Sequence, residues 1–254
     1  MFQYLVNWLE YQKELFGNSV LYDSNDLDII RQNFAKLSQK NSDNSRVDDS
    51  SIERINIKKG ASTILDNWSK STNLNDLHNS IKNCKECELG HSRTNFVFGT
   101  GNTNADIMII GEAPGADEDE QGLPFVGRAG QLLTNMLEAI QIKREDVFIA
   151  NILKCRPPNN RRPSSDEINE CEPYLHKQIE LIKPKIILVL GLTAVSSLLK
   201  MDFKMSEIRG TVLDYRGAKM LITYHPAALL RNPNWKKPAW EDLKLLKKLL
   251  EESK

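Results

Sequence analysis

Residues 106–115 read DIMIIGEAPG: an unbroken apolar run through Ile110, then Gly111, Glu112 and a second glycine at 115. A strand with one wet face alternates apolar and polar side chains, whereas a strand covered on both faces reads as a continuous apolar run. Three more runs of this kind follow, VFIANIL (147–153), KIILVLG (185–191) and KMLITYH (219–225). Helices are predicted over about 128–141, 165–183, 192–200 and 238–252, and Ser164 with Glu167 has capping-box spacing. Strand alternating with helix predicts an α/β layered domain on a mostly parallel sheet.

Ligands of such sheets sit beyond the carboxyl ends of the strands, so the residues after each run carry the functional reading. The first run leads into GEAPG, the second holds Asn151 and runs to Cys155, the third leads into GLTA (191–194), and the fourth into HPAALLRNP (225–233). The fold logic gathers these ends along one edge.

Further out the chain is less informative. The first 17 residues have the spacing of an amphipathic helix (Phe2, Leu5, Val6, Leu9, Tyr11, Phe16), and 38–52 is a Ser/Asn/Asp-rich stretch that reads as a linker or disordered segment. The expected division is 1–60, an extension of unknown function that could receive a replication or repair partner, and 61–254, the functional domain, with a helical stretch over about 61–82. With 40% hydrophobic and 27% charged residues among 254, the composition is that of a soluble globular chain. No run approaches the ~18 apolar residues of a membrane span, and Met1–Glu10 lacks the basic start of a signal peptide. A cytoplasmic monomer is expected.

The formal net charge is zero, but residues 200–237 carry eight Lys or Arg against three Asp or Glu, and 101–122 carry six acidic side chains and no basic one. Basic surface beside an acidic pocket suits a polyanion with one part inserted apart from the rest; ordinary surface patchiness would look the same.

Cys84 and Cys87 form a C-x2-C pair, and Cys155 and Cys171 are 16 positions apart. In a cytoplasmic chain disulfides are rare, and four thiolates complete either a tetrahedral zinc site or a [4Fe–4S] cluster. The second pair does not repeat the knuckle spacing of a zinc ribbon, which favours iron–sulfur. The strand-end residues each allow two readings. Glu112 and its acidic neighbours are either a solvated loop or working carboxylates; Phe125, in GLPFVGRAG (122–130), is either core or a stacking platform. Asn151 either satisfies local backbone or reads the polar edge of a ligand. His225 is either structural or catalytic, and Leu229, Leu230 and Arg231 form either a surface loop or a wedge for a base stack.

Taken together, C-x2-C, GEAPG with GLPFVGRAG, ANILKCRPPNNRRP, the cysteine 16 residues on, and YHPAALLRNP resemble family 4 uracil-DNA glycosylases, collinearly from about Cys84 to Leu250. The resemblance implies a three-layer α/β/α sandwich around a four-stranded, mostly parallel sheet, and a [4Fe–4S] cluster on Cys84, Cys87, Cys155 and Cys171. It implies that Gly111, Glu112 and Ala113 line a uracil pocket, Phe125 stacks on the base, Asn151 reads its edge, His225 faces O2, and Glu118 crowds C5 against the thymine methyl. Leu230, Arg231 and Asn232 would meet DNA.

The chemistry implied is excision of uracil by hydrolysis of its N-glycosidic bond, which starts base excision repair, with uracil-containing DNA as partner. A base must first be flipped from the stack. His225 would then stabilise charge developing on O2. The slot that carries a water-positioning acid in other branches of the superfamily is Ala113 here, leaving Glu112 or backbone carbonyls to hold the water. The branch that traps a covalent intermediate has GEQPG and an inserted basic loop; this sequence has neither. The alternatives are a non-catalytic iron–sulfur DNA-binding protein of a replication complex, and a glycosylase for other deaminated bases.

Overall fold

The computed structural model describes residues 68–253. The expected N-terminal helix, the 38–52 linker and the start of the 61–82 stretch lie outside the described residues. Among them run six strands: β1 (Thr100–Gly101), β2 (Ile107–Gly111), β3 (Phe148–Asn151), β4 (Ile186–Leu190), β5 (Val212–Tyr215) and β6 (Ala218–Thr223). The helices are α1 (Leu74–Ile81), α2 (Leu89–Ser92), α3 (Ala116–Gln121), α4 (Arg128–Ala139), α5 (Ser165–Ile182), α6 (Leu192–Leu199), α7 (Met205–Ile208), α8 (Pro226–Arg231) and α9 (Lys236–Glu252).

The strands form one sheet in the order β1-β3-β2-β4-β6-β5. The four apolar runs are its inner strands, β3, β2, β4 and β6, all parallel. Two antiparallel edges flank them, β1 on β3 and β5 on β6, so the sheet is six-stranded and mixed rather than four-stranded. β1 is too short to carry an apolar run, and β5 is only partly buried and holds Asp214, which is why apolar runs do not announce them.

Side chains on a strand point alternately to opposite faces, and both faces here are buried. Met108, Ile110, Ile187, Val189, Met220 and Ile222 pack with Leu175, Ile179 and Val195 of α5 and α6. Ile107, Ile109, Ile186, Leu188 and Leu221 pack with Leu133 and Leu137 of α4 and Leu243 and Leu246 of α9. This is the three-layer sandwich. The capping box forms at the start of α5: Ser164 Oγ accepts from the Glu167 amide (3.3 Å) and Glu167 Oε2 from the Ser164 amide (2.8 Å).

Register sets the site. Gly111 lies opposite Asn151 across β2 and β3, and Leu190 lies opposite Thr223 across β4 and β6. The chain therefore leaves all four parallel strands at the same end of the sheet.

Candidate active site

Asn151 ends β3 at 2% exposure, yet its Oδ1 is buried with no hydrogen-bond partner. Buried polar atoms are normally paired, so this acceptor at a strand end is unusual. The Phe125 ring covers the neighbouring Gly111 so closely that a Cβ there would stand 2.6 Å from Phe125 Cζ and would strike Asn151 Oδ1. Only glycine fits.

Phe125 is itself held in an unusual backbone state, φ +53°, which costs a bulky residue free energy unless its surroundings impose it. They do. Glu118 of α3 accepts hydrogen bonds from the amides of Val126 (2.9 Å), Gly127 (3.0 Å) and Gly115 (3.1 Å). Arg144 Nη2 donates to the Pro124 carbonyl at 2.8 Å. Gly130, in the first turn of α4, lacks the Cβ that would collide with the Phe125 carbonyl. Glu118 thus braces the loop that carries Phe125, with both carboxylate oxygens engaged by backbone.

His225 follows β6 and caps α8, with Nδ1 accepting from the Ala227 amide at 3.1 Å. An acceptor at Nδ1 fixes the neutral tautomer with the proton on Nε2. Burial pulls the imidazole down to about 4, and the charge of Arg231 pushes the same way. The ring lies 5.5 Å from that of Phe125, tilted by 32°. Gly191, at φ +93°, passes close behind it: a Cβ there would be 3.0 Å from His225 Cβ. Glu112 comes next after Gly111. Burial raises its carboxyl, while a hydrogen bond with Thr193 and the charge of Arg162 pull it back. Ala113 offers no polar side chain.

Downstream of His225 the sequence forms the short helix α8 rather than a loop. Leu229 turns inward, Leu230 is exposed, and Arg231 and Asn232 are exposed beside it. One leucine, not two, is available to a partner.

The four cysteines come from separate elements and line one cavity, together with Phe96 and Tyr174. Cys84 and Cys87 lie between α1 and α2, Cys155 beyond β3, and Cys171 in α5; all are free of disulfides. Three sulfurs accept hydrogen bonds: Cys84 from Tyr174 Oη (3.3 Å), Cys155 from Arg93 Nη1 (3.0 Å), and Cys171 from the Lys154 amide (3.2 Å). Burial pushes Cys171 up to about 12 and raises Cys155 and Cys87. Among the described residues no three His, Cys, Asp or Glu side chains are drawn together at the spacing of a single-ion site. Four cysteines thus line one cavity, and three of their sulfurs accept a hydrogen bond.

Residues 98–244 match the model of the uracil DNA glycosylase superfamily. A type-4 uracil-DNA glycosylase of Saccharolobus solfataricus is 49% identical over 187 residues, covering 70% of this chain and 87% of that protein. The chain belongs to the type-4 uracil-DNA glycosylases. Another type-4 member, from Pyrobaculum aerophilum, is 48% identical over 168 residues, 63% of this chain and 86% of the other. A type-5 uracil-DNA glycosylase of that organism is 29% identical over 152 residues, 51% and 64% of the two chains.

In this type-4 glycosylase, sequence reasoning missed three residues that the structure sets beside the site. Thr193, near the start of α6, holds the Glu112 carboxyl back against the rise that burial causes. Arg93 and Lys154 bring positive charge to the cysteines. A signal for Lys154 existed: a lysine within the apolar run of β3 and its exit, one position before Cys155, is out of place unless a buried partner receives it. Among the described residues no helix is long and apolar enough to cross a membrane.

Proposed function

We propose that this enzyme flips uracil out of DNA and hydrolyses its N-glycosidic bond, leaving an abasic site. The observation that carries this reading is the unpaired, buried Oδ1 of Asn151 beside the Phe125 and His225 rings. Uracil presents an N3–H donor to such an acceptor, whereas cytosine turns a bare N3 lone pair toward it. A site built to pair a polar group rejects the analogue lacking it far more strongly than an apolar pocket rejects a missing methylene. The asymmetry suits the removal of deaminated cytosine.

The other residues then fall into roles. Stacking on Phe125 returns about 1–3 kcal/mol of what base flipping costs. The Nε2–H of a neutral His225 donates toward O2 as the departing base becomes anionic, and a preorganised donor there acts on the transition state more than on the ground state. Glu112, whose carboxyl burial makes more basic, holds the attacking water, since Ala113 has no group to do so. Glu118 acts through the Phe125 loop, fixing the ring that covers one side of the base and so the room left at C5. Leu230 enters the stack, and Arg231 and Asn232 bind phosphate.

Cys84, Cys87, Cys155 and Cys171 would hold a [4Fe–4S] cluster. Bound there, the cluster supplies a structural tie between the α1–α2 connection, the exit of β3 and α5. Protein purified without air should be brown, with about four irons per chain; a colourless protein carrying one zinc ion would overturn this assignment.

The test of activity is release of free uracil from an oligonucleotide containing it, run beside cytosine- and hypoxanthine-containing strands. Uracil alone should be released. Binding of the uracil strand without release would make the chain a DNA-binding module, and equal release of hypoxanthine would make it a broader glycosylase for deaminated bases.

A further inference from the structure

Lys154 is buried completely. Its ammonium donates to the Asn151 carbonyl at 2.7 Å and to Gln178 Oε1 at 2.6 Å. Gln178 is held in turn, its Nε2 donating to the Phe98 carbonyl at 2.9 Å. Among the described residues no carboxylate pairs with this ammonium. A buried cation without a counter-ion is among the costlier things a fold can contain. Cys155 is its neighbour in the chain, and its own amide donates to Cys171 Sγ at 3.2 Å. Four thiolates around a metal centre leave net negative charge on the sulfurs, and Lys154 then has its counter-charge.

We infer that Lys154 is a positioning residue that joins the cysteine-held centre to the base-reading strand: its charge is balanced by the thiolates, and its Nζ fixes the carbonyl of Asn151. The inference rests on the reading of Asn151 as the base-reading group and of the four cysteines as cluster ligands. Arg93 also faces the centre, on Cys155, but its other Nη bonds the Lys82 carbonyl, away from the pocket. The two cations therefore share one electrostatic task, and only Lys154 has the mechanical one.

The experiment compares Lys154→Met, Lys154→Arg and Arg93→Met with the wild-type holoenzyme. It measures iron content, the cluster's midpoint potential by protein-film voltammetry, DNA affinity and the single-turnover excision rate on bound uracil-DNA. Removing positive charge beside thiolates disfavours the reduced cluster, so both methionine variants should shift the potential downward. Lys154→Met should also excise about 10–100-fold more slowly, the usual loss for a residue supporting metal ligands, at unchanged DNA affinity; Arg93→Met should lose much less. Lys154→Arg should return the potential toward wild type without restoring the rate, because a guanidinium cannot repeat the ammonium's bond to Asn151.

If Lys154→Met loads no iron but Lys154→Arg does, charge is what the site needs, and the inference stands. If neither loads iron while Arg93→Met does, side-chain shape is what matters and the inference fails. It fails equally if Lys154→Met keeps the wild-type potential and rate. A wild-type protein with zinc in place of iron removes the cluster reading alone, and the bridge is then judged by the excision rate of Lys154→Met.

Discussion

Nδ1 of His225 accepts the amide proton of Ala227 at 3.1 Å, so the imidazole is committed to one tautomer before any base arrives. Its proton sits on Nε2, and burial holds the group down to about 4 against an ordinary 6.5. The neutral form belongs to the folded state, and the unfolded chain binds more protons between those two values. The contribution of His225 to stability is thus full above about 6.5 and is lost as pH falls toward 4. Excision should show no step from this group between pH 8 and 5. The acid-side slope of stability should weaken in His225→Gln. His225→Ala should slow single-turnover excision about 10²–10³-fold with little change in DNA affinity. A weakened affinity with an unchanged rate on bound DNA would place the histidine outside the pocket.

Gly111→Ala should cost both stability and activity. The new Cβ meets the Phe125 ring at 2.6 Å and the carboxamide of Asn151, and neither has room to retreat within a packed core. Overpacking of this kind costs about 1–3 kcal/mol, readable as a lower midpoint in denaturant. The Asn151 acceptor should be displaced as well, so uracil release should fall further than the lost stability explains. A variant with wild-type excision would show that the pocket lies elsewhere.

Glu118→Gln keeps the size of the side chain and removes the charge from three backbone hydrogen bonds. Hydrogen bonds to charged groups contribute about 1.5–3 kcal/mol. The loss should appear locally, as faster hydrogen exchange at the Val126 and Gly127 amides and weaker stacking at Phe125. Unchanged exchange at those amides would remove Glu118 from its bracing role.

Arg231→Ala should weaken binding of any DNA, uracil or not, and reduce the salt dependence of that binding by about one phosphate contact. Leu230→Ala should instead slow excision from duplex more than from single strands, because only the duplex needs a filler for the vacated stack. Equal loss on both substrates would assign Leu230 to packing.

The inner sheet was legible because burial on both faces writes itself as unbroken apolar runs, and all four runs became strands. β5 was not legible. Its four residues end in a two-residue turn, Arg216 and Gly217, both at positive φ; Arg at the first position hides a hairpin that Asn or Asp would have announced. The site was legible where a residue type was odd for its place, as with Asn151 inside an apolar strand and His225 before a proline. What stayed hidden were contacts made across the fold. Glu118 reaches forward to Val126, and Lys154 reaches across to Gln178. Neither partner can be read from spacing, because each depends on the turn or helix that brings it back. The reading of Leu229, Leu230 and Arg231 as a surface loop missed α8 because His225 is a rarer cap than Ser or Asp.

The two edge strands also bear on how the protein behaves in a crowd. A parallel core of four apolar strands, left bare at its flanks, would offer ladders of free N–H and C=O groups to any other chain. On one flank β1 is only two residues long, and Gly101 folds so close to Val147 that no side chain fits between them. On the other, β5 carries Asp214 paired across to Lys219 at 2.9 Å, charge where a growing fibril would need apolar contact. Brevity guards one border and charge the other. Substitutions that lengthened β1 or neutralised Asp214 and Lys219 together would therefore surface first as aggregation, while the chemistry at the strand ends stayed intact.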